Sequence, residues 1–338
     1  MGMPKKKVWI FGIVILSIVL LGYCGWALLF SCDEYTGTPQ HIVIGTSPVE
    51  LSGLIYIADE LGFFTDNGLI PTIIDYESGK AATIDLIKGD LDIASASDIV
   101  FSKLGLTNEK ILAIACIGES EDHYVIARKD FGISQISDLA GRKIGVSNGT
   151  SAEFYLSRFL EIQGTDPLNM IIIRYPSPSL IDFLLSGEVD AIASWDPYVY
   201  HGENKLGAQA VVWPIQCGQM MHWVALCKKD YITNHPEIIV RYLRALNEAE
   251  NYVLNNPDDA KRIIQHRIHA DDTYMNRVWP RCHLILGLGQ SVIIAMEDEA
   301  RWMMKNNPDG FTEMPNYLDY LYLDGLEEIR PDLVDIIR

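Results

Sequence analysis

Residues 139–198 constrain the fold of this chain more than any other stretch. A short apolar run at residues 143–146 is followed by Gly149-Thr150-Ser151 and then by a helical pattern over residues 152–163. The first N–H groups of a helix have no partner within the helix, and the helix dipole places a partial positive charge at that end. The sequence therefore predicts a site for a small anion at this helix start, with Thr150 and Ser151 as hydroxyl donors. A simple helix cap is the alternative explanation, and it would use only some of the donors.

The motif Trp195-Asp196-Pro197 follows a second strand-like run, residues 191–193. Tryptophan offers a flat apolar face and aspartate a carboxylate, so the pair suits a pocket for a small, partly charged solute. Packing of the tryptophan and a turn at Asp-Pro are the alternative explanation. Together with the helix start, the motif predicts a cavity with an anion cradle, an aromatic wall and one acid.

Strand-like and helix-like segments alternate along the chain. Strands are predicted at residues 41–45, 71–76, 91–94, 124–127, 143–146, 171–174, 191–193 and 223–227, and helices at 54–62, 80–88, 152–163 and 179–186. This alternation predicts an α/β protein with mainly parallel sheets. The segment at 223–227 is predicted to return the chain to its first sheet, and the pattern after Pro236 is helical.

Small hydroxyl residues follow two of these strands. Ser47, Leu51 and Ser52 come after the first strand, and Ser97 comes after the third. Ligands of open α/β sheets bind outside the carboxyl ends of the strands, so these residues are candidate ligand contacts. Ordinary loop chemistry would place hydroxyls there as well. His222 and Trp223, where the chain crosses back, are secondary candidates.

Several motifs together resemble the solute-binding proteins of ABC importers in the nitrate, sulfonate and taurine group. They are Leu-Ala-Gly-Arg-Lys-Ile-Gly-Val at 139–146, Gly-Thr-Ser at 149–151, Ser-Gly-Glu-Val-Asp-Ala at 186–191, Trp-Asp-Pro at 195–197, Leu-Gly-Phe-Phe at 61–64 and Asn-Pro-Asp-Asp-Ala at 256–260. Within this group, the chain is similar to aliphatic sulfonate-binding and thiamine-pyrimidine precursor-binding proteins. The resemblance implies a two-lobed, type II periplasmic-binding-protein-like α/β fold with a ligand cleft between the lobes. Residues 41–122 with 223–338 would form lobe 1, and the inserted residues 123–222 would form lobe 2.

The same resemblance implies a function in transport. The protein would be the extracytoplasmic solute-binding component of an ABC importer, would deliver its ligand to the permease subunits, and would be neither an enzyme nor a cofactor-binding protein. The ligand would be a small oxyanion-bearing organic solute such as a sulfonate or taurine, or nitrate. The implied ligand contacts are Ser47, Leu51, Ser52, Ser97, Gly149, Thr150, Ser151, Trp195 and Asp196.

Three alternatives stay open at this point. One is a pyrimidine-precursor binding protein, and another is an enzyme of the thiamine-pyrimidine synthase type on the same fold. That enzyme family carries a motif of adjacent cysteines, and the six cysteines of this chain are scattered. The third is the ligand-sensing portion of a membrane receptor, although no signalling domain is expected in the residues up to Arg338.

The N-terminal segment, residues 1–35, predicts export and attachment to a membrane. Lys5-Lys6-Lys7 precedes an uncharged run over residues 8–31, which is long enough to span a bilayer and would place the rest of the chain outside. Leu-Phe-Ser-Cys at 29–32 resembles a lipoprotein cleavage box with Cys32 as the lipidated residue. An uncleaved anchor helix, a lipoprotein and a cleaved signal peptide all place the protein outside, and the first two hold it at the outer face of the cytoplasmic membrane.

Charge and motif content exclude several other classes of function. The 338 residues carry a net charge of −18, so no basic footprint for nucleic acid is expected. Neither a Walker loop nor a Gly-x-Ser-x-Gly elbow occurs in the sequence. His266, His269, Asp271, Cys282 and His283 have no familiar metal-ligand spacing, so no metal site is predicted. The pairing of Cys116, Cys217, Cys227 and Cys282 stays open.

Overall fold

Thirteen strands are present in the computed structural model, which describes residues 35–165, 169–307, 310–311 and 313–337. The strands are β1 (Gln40–Thr46), β2 (Leu69–Asp75), β3 (Ile93–Ser97), β4 (Ile111–Ser120), β5 (His123–Arg128), β6 (Lys143–Val146), β7 (Ile171–Arg174), β8 (Ala191–Trp195), β9 (Ala210–Pro214), β10 (Met221–Lys228), β11 (Cys282–His283), β12 (Leu288–Gly289) and β13 (Val334–Asp335). The predicted anchor segment up to residue 34, with Cys32, lies outside the described residues.

Two larger sheets and one short strand pair are built from these strands. The first sheet has the order β11-β4-β10-β3-β1-β2, and the second has the order β7-β6-β8-β5-β9. In the first sheet β1 pairs in parallel with β2 and β3, and β10 runs antiparallel to β3 and β4. In the second sheet β6 pairs in parallel with β7 and β8, and β5 runs antiparallel to β8 and β9. The chain passes from the first sheet to the second after β4 and returns with β10.

Helices cover both sheets. They are α1 (Gly53–Glu60), α2 (Phe63–Asp66), α3 (Gly79–Lys88), α4 (Asp98–Leu106), α5 (Ser151–Ile162), α6 (Leu180–Ser186), α7 (Tyr198–Leu206), α8 (Lys229–Asn234), α9 (Pro236–Asn255), α10 (Pro257–Arg267), α11 (Asp272–Val278), α12 (Gln290–Asn306) and α13 (Asp324–Ile329). None of the described helices is both long enough and apolar enough to cross a bilayer.

Local sequence explains where the helices that face the site begin and end. The Ser78 side chain accepts a hydrogen bond from the Ala81 N–H and so caps α3. The same helix ends at Gly89, whose φ of 90° is a left-handed conformation that glycine adopts without a steric penalty. Away from the site, α9 begins at Pro236. The first N–H groups of a helix have no acceptor within the helix, so a proline there removes no hydrogen bond.

The unit formed by Pro39–Arg338 has one large hydrophobic core and a smaller second one. Strands β1, β3 and β10 and helices α1 and α9 contribute to the large core, which explains why β3 and β10 are buried along almost their whole length. The smaller core packs α6 and α7 against the second sheet. The candidate site lies at the carboxyl ends of the parallel strands of both sheets.

Candidate ligand-binding site

A cavity of about 230 Å³ lies between the two sheets. We call the residues that belong to the first sheet and its loops the first wall, and those that belong to the second sheet and its loops the second wall. The first wall consists of Ser47, Pro48, Val49, Leu51, Glu77, Ser78, Gly79, Lys80, Ser97, Val100, Met221 and Trp223, and the second wall of Asp122, His123, Thr150, Ser151, Trp195, Pro197, Tyr198 and His201.

Four helices begin at this cavity: α7 begins at Tyr198, and the other three begin at hydroxyl residues. Ser78 and Gly79 lie at the start of α3, Ser97 at the start of α4, and Thr150 and Ser151 at the start of α5. Each helix start carries a partial positive charge and unpaired N–H groups. The cavity therefore offers local donors and positive potential to an anionic group, although the whole chain carries a net charge of −18.

Two side chains of the first wall have a buried hydrogen-bond donor without a partner among the described residues. The two donors are Oγ of Ser47 and Nε1 of Trp223, and these residues are 4% and 7% exposed. A buried donor without a partner costs about 1–3 kcal/mol, so native proteins rarely keep one without a reason. An acceptor on a bound ligand is such a reason. Ser47 was predicted as a ligand contact, and Trp223 was a secondary candidate.

Of the other residues predicted in the first wall, Leu51 and Ser97 line the cavity and Ser52 does not. The Ser52 hydroxyl donates to the carbonyl of Ser47 at 2.8 Å and also contacts Thr46 Oγ1 at 2.6 Å. Ser52 therefore holds the loop that carries Ser47, and its contact with a ligand stays a prediction.

The predicted anion cradle in the second wall uses its hydroxyls differently from the expectation. Thr150 lines the cavity, but its Oγ1 donates to the carbonyl of Ser147 at 2.7 Å. Gly149 does not line the cavity, and its N–H donates to Glu153 Oε2 at 2.9 Å. These bonds stabilise the turn and the helix start, so the cap explanation accounts for both residues.

The Ser151 hydroxyl contacts a residue that sequence reasoning did not select. Ser151 Oγ lies 2.6 Å from His123 Nε2, and His123 Nδ1 lies 2.9 Å from Asp122 Oδ1. All three residues are buried and line the cavity. His123 is the first residue of β5, directly after the chain crosses between the sheets, and this crossing position was the only signal in the sequence that pointed to it.

The Trp195-Asp196-Pro197 motif is split by the fold. Trp195 and Pro197 line the cavity, whereas Asp196 does not. Asp196 Oδ2 lies 2.8 Å from Arg277 Nε, and Oδ1 accepts from the Tyr200 N–H at 2.9 Å. Burial raises the pKa of Asp196 to about 6, against the lowering effect of Arg277, so the carboxylate is ionised at neutral pH. Asp196 is therefore engaged in an ion pair with the protein, and its contact with a ligand stays a prediction.

The family is decided by comparison with known proteins. A family model described as NMT1/THI5 like matches residues 52–260, which is more than half of the chain. The chain belongs to the NMT1/THI5-like family. A Bacillus subtilis protein named for aliphatic sulfonates binding is 25% identical over 268 residues, which cover 74% of this chain and 76% of that protein. The resemblance predicted from the sequence is confirmed.

Solved structures confirm the α/β periplasmic-binding-protein fold. The alkanesulfonate-binding protein SsuA from Xanthomonas axonopodis pv. citri, bound to MOPS, matches 85% of this chain and 99% of its own with a TM-score of 0.70 and 16% identity. The desulfurization enzyme DszB matches 86% of this chain and all of its own with a TM-score of 0.61 and 16% identity. The fold of this NMT1/THI5-like protein thus occurs mostly among binding proteins and also in an enzyme.

A second cavity, of about 350 Å³, adjoins the first and shares Glu77, Ser78, Lys80 and Thr150 with it. Lys80 belongs to the first wall, and its Nζ donates to the carbonyl of Asn148, which follows β6 of the second sheet, at 2.6 Å. Burial and the nearby charge of Lys103 lower the pKa of Lys80. Lys80 therefore bridges the two walls and places a positive charge beside the α5 start.

Metal binding has no support in the described part of the chain. No group of three or more His, Cys, Asp or Glu side chains there is placed to hold a metal ion. Cys116, Cys217, Cys227 and Cys282 are free thiols, and only Cys217 is exposed. Among the candidates at residues 266–283, Asp271 is already engaged, because it accepts from the Tyr274 N–H and caps α11.

Proposed function

We propose that this NMT1/THI5-like protein is the extracytoplasmic solute-binding component of an ABC importer, and that its ligand is a small organic solute with an apolar body and an oxyanionic end, such as an alkanesulfonate. The observation that carries the proposal is a pair of buried donors, Ser47 Oγ and Trp223 Nε1, which have no partner in the described part of the chain and lie in the wall of a cavity between two sheets. Sulfonate oxygens are acceptors, and a hydrogen bond to a charged acceptor contributes about 1.5–3 kcal/mol.

The remaining cavity residues decide between ligands of this class. The body of the ligand would contact Val49, Leu51, Val100, Met221 and Trp195, which are apolar. Nitrate has no apolar body to fill that space. Taurine has an amine, but Asp196, the acid predicted to receive it, is paired with Arg277. Of the two acids in the lining, Asp122 is already in contact with Ser120 and His123, and Glu77 is exposed to solvent. An alkanesulfonate therefore fits this cavity better than taurine or nitrate.

Transport would follow from closure of two lobes on the ligand. We propose the division predicted from the sequence, with residues 41–122 and 223–338 in one lobe and 123–222 in the other. The cavity supports this division because its walls come from both parts. Residues 1–35, either as an uncleaved helix or through a lipid on Cys32, would hold the protein at the outer face of the cytoplasmic membrane, where the permease subunits are reached.

Isothermal titration calorimetry of the full chain in mild detergent tests the proposal. The panel contains ethane-, butane- and octanesulfonate, taurine, nitrate, bicarbonate and a thiamine-pyrimidine precursor. We expect the alkanesulfonates to bind, with taurine and nitrate much weaker. Binding of the pyrimidine precursor alone would replace the proposed ligand by the nitrogen-rich heterocycle, and the absence of heat with every compound would overturn the proposal.

A further inference from the structure

The second wall contains a serine, a histidine and an aspartate in a sequence of close contacts that solute capture does not require. Ser151 Oγ lies 2.6 Å from His123 Nε2, and Asp122 Oδ1 lies 2.9 Å from His123 Nδ1. The three side chains are 5%, 2% and 6% exposed and all line the cavity. A nucleophile, a base in hydrogen-bond reach and a third group beside the base are the features that nucleophilic catalysis needs.

We propose that this site hydrolyses small carboxylic esters, with Ser151 as the nucleophile and His123 as the general base. A serine hydroxyl is a weak nucleophile unless a base removes its proton as it attacks. At 2.6 Å the neutral imidazole accepts that proton directly. The proposal concerns the second wall and does not depend on the donors Ser47 and Trp223 of the first wall.

The histidine ring is held in place by its surroundings. The ring centroid lies 5.0 Å from that of Tyr155 and 5.9 Å from that of Trp195. The contact with Asp122 lies outside the angular range of a hydrogen bond, since His123 Nδ1 has no aligned partner in the described structure. Asp122, which also accepts from the Ser120 hydroxyl at 2.9 Å, therefore acts through its charge and stabilises the imidazolium. It is a positioning residue.

The first turn of α5 supplies donors for the negative oxygen of the intermediate. Ser151 is the first residue of this helix, so its N–H and that of Ala152 have no acceptor within the helix. The next N–H, that of Glu153, donates to the Thr150 carbonyl at 3.1 Å. Two backbone donors beside the nucleophile, at the positive end of a helix, are suited to stabilise an oxyanion.

The reaction balances with water as the second reactant. Ser151 Oγ forms a bond to the ester carbonyl carbon while its proton passes to His123 Nε2. The bond from that carbon to the alkoxy oxygen then breaks, and the proton on His123 leaves with the alcohol. Water attacks the acyl-serine, gives one proton to His123, and the acid departs as Ser151 Oγ takes the proton back. One ester and one water give one acid and one alcohol.

The first experiment uses the full chain in mild detergent with p-nitrophenyl acetate as substrate and diisopropyl fluorophosphate as a label. We expect hydrolysis of the ester and phosphorylation of Ser151, identified by peptide mass spectrometry. Ser151→Ala and His123→Gln should each lower the rate at least about a hundredfold, which is the usual contribution of a positioned base. Ser157→Ala, on the same helix but outside the cavity lining, should keep the parent's rate.

A label on another residue, or a Ser151→Ala variant that hydrolyses the ester as fast as the parent, would overturn the proposal. If Ser151→Ala fails to fold, Ser151→Cys answers the question, because the thiol should be alkylated by iodoacetamide faster with His123 present than in the His123→Gln background. Equal alkylation rates would overturn it too.

Asp122→Asn should cause a smaller loss that falls on kcat and leaves KM unchanged, a division that a structural defect would not give. Sulfonate binding by calorimetry reports on the proposed function separately.

Discussion

The two walls of the cavity contain the same kinds of side chain but differ in what those side chains are free to do. In the first wall, Ser47 Oγ and Trp223 Nε1 have no partner among the described residues. In the second wall, the Thr150 hydroxyl is bonded to the Ser147 carbonyl and Ser151 is bonded to His123. The type of residue at a strand end therefore does not tell whether its polar atoms can reach a ligand.

Topology does not explain this difference, because the two sheets share one arrangement. Each has a parallel strand between two parallel neighbours, followed by a strand that runs antiparallel: β2-β1-β3-β10-β4 in the first sheet and β7-β6-β8-β5-β9 in the second. The loops after the strands differ. In the first sheet Ser52 donates to the Ser47 carbonyl and leaves the Ser47 hydroxyl free. In the second sheet the Thr150 hydroxyl itself closes the turn.

The largest expected effect concerns Asp196, the acid that lies behind the second wall. Asp196→Ala leaves two donors, Arg277 Nε and the Tyr200 N–H, without their buried charged acceptor and should lower the free energy of unfolding by about 3–5 kcal/mol. Glu203→Gln is the matched control, since Glu203 pairs with the same Arg277 but its side chain is 41% exposed, and the expected loss is below about 1 kcal/mol. Urea unfolding measures both.

The outcome also separates the structural role of Asp196 from the ligand role predicted from the sequence. A folded Asp196→Asn variant should bind the alkanesulfonates and taurine with the parent's affinities. A selective loss of taurine affinity in this variant, with unfolding unchanged, would restore the carboxylate as a ligand contact.

The acid behind the first wall is neutral, in contrast to Asp196. Burial raises the pKa of Glu50 to about 8, the charge of Asp122 adds to the rise, and the Tyr274 hydroxyl donates to Glu50 Oε2 at 2.8 Å. The folded state keeps this proton between pH 4.5 and pH 8 while the unfolded chain releases it, so the free energy of unfolding falls as the pH rises through that window.

Glu50→Gln mimics the protonated acid and removes the titration. We expect the variant to gain roughly 4 kcal/mol on the parent when urea unfolding near pH 8 is compared with unfolding near pH 4.5. A parent and variant whose difference is the same at both pH values would show that Glu50 is ionised in the folded protein, and the contrast between the two acids would be lost.

A double variant of the first wall tests its free donors. Ser47→Ala with Trp223→Phe keeps most of the shape of the wall and removes both donors, so affinity for an alkanesulfonate should fall roughly a hundredfold if each bond contributes at least about 1.5 kcal/mol. Trp213→Phe, on β9 and outside the cavity lining, is the matched control and should leave affinity unchanged. Calorimetry with butanesulfonate measures both, and an unchanged affinity of the double variant would place the oxyanion elsewhere.

The sequence was sufficient for much of the fold because local signals agree with it. The predicted strands at residues 143–146 and 171–174 coincide with β6 and β7, since each is a short apolar run between turn residues. Strand β4, Ile111–Ser120, was not predicted. It is buried on both faces, so it lacks the alternation that marks a strand, and its apolar run resembles a buried helix equally well.

The site was harder to predict because its decisive contacts join distant parts of the chain. Arg277, which pairs with Asp196, is 81 residues away from it, and His123 is 28 residues away from Ser151. Composition and spacing place Asp196 and Ser151 near a cavity. They do not show which protein group forms a hydrogen bond or ion pair with each of these side chains. Such a bond decides whether the side chain is available to a ligand.

The smallest expected effect belongs to Thr150. Its hydroxyl was predicted to donate to an anion, but it donates to the Ser147 carbonyl. Thr150→Val keeps the shape of the side chain and removes the hydroxyl that donates to the Ser147 carbonyl, so unfolding should become easier by about 1 kcal/mol. Because that hydroxyl is already used, affinity for butanesulfonate should change less than about threefold, against roughly tenfold or more for a hydroxyl that donates to the oxyanion. Thermal unfolding and calorimetry on the same preparation measure both quantities. A tenfold loss of affinity at unchanged stability would show that the Thr150 hydroxyl reaches the ligand, and the division of roles between the side chains of the two walls would no longer hold.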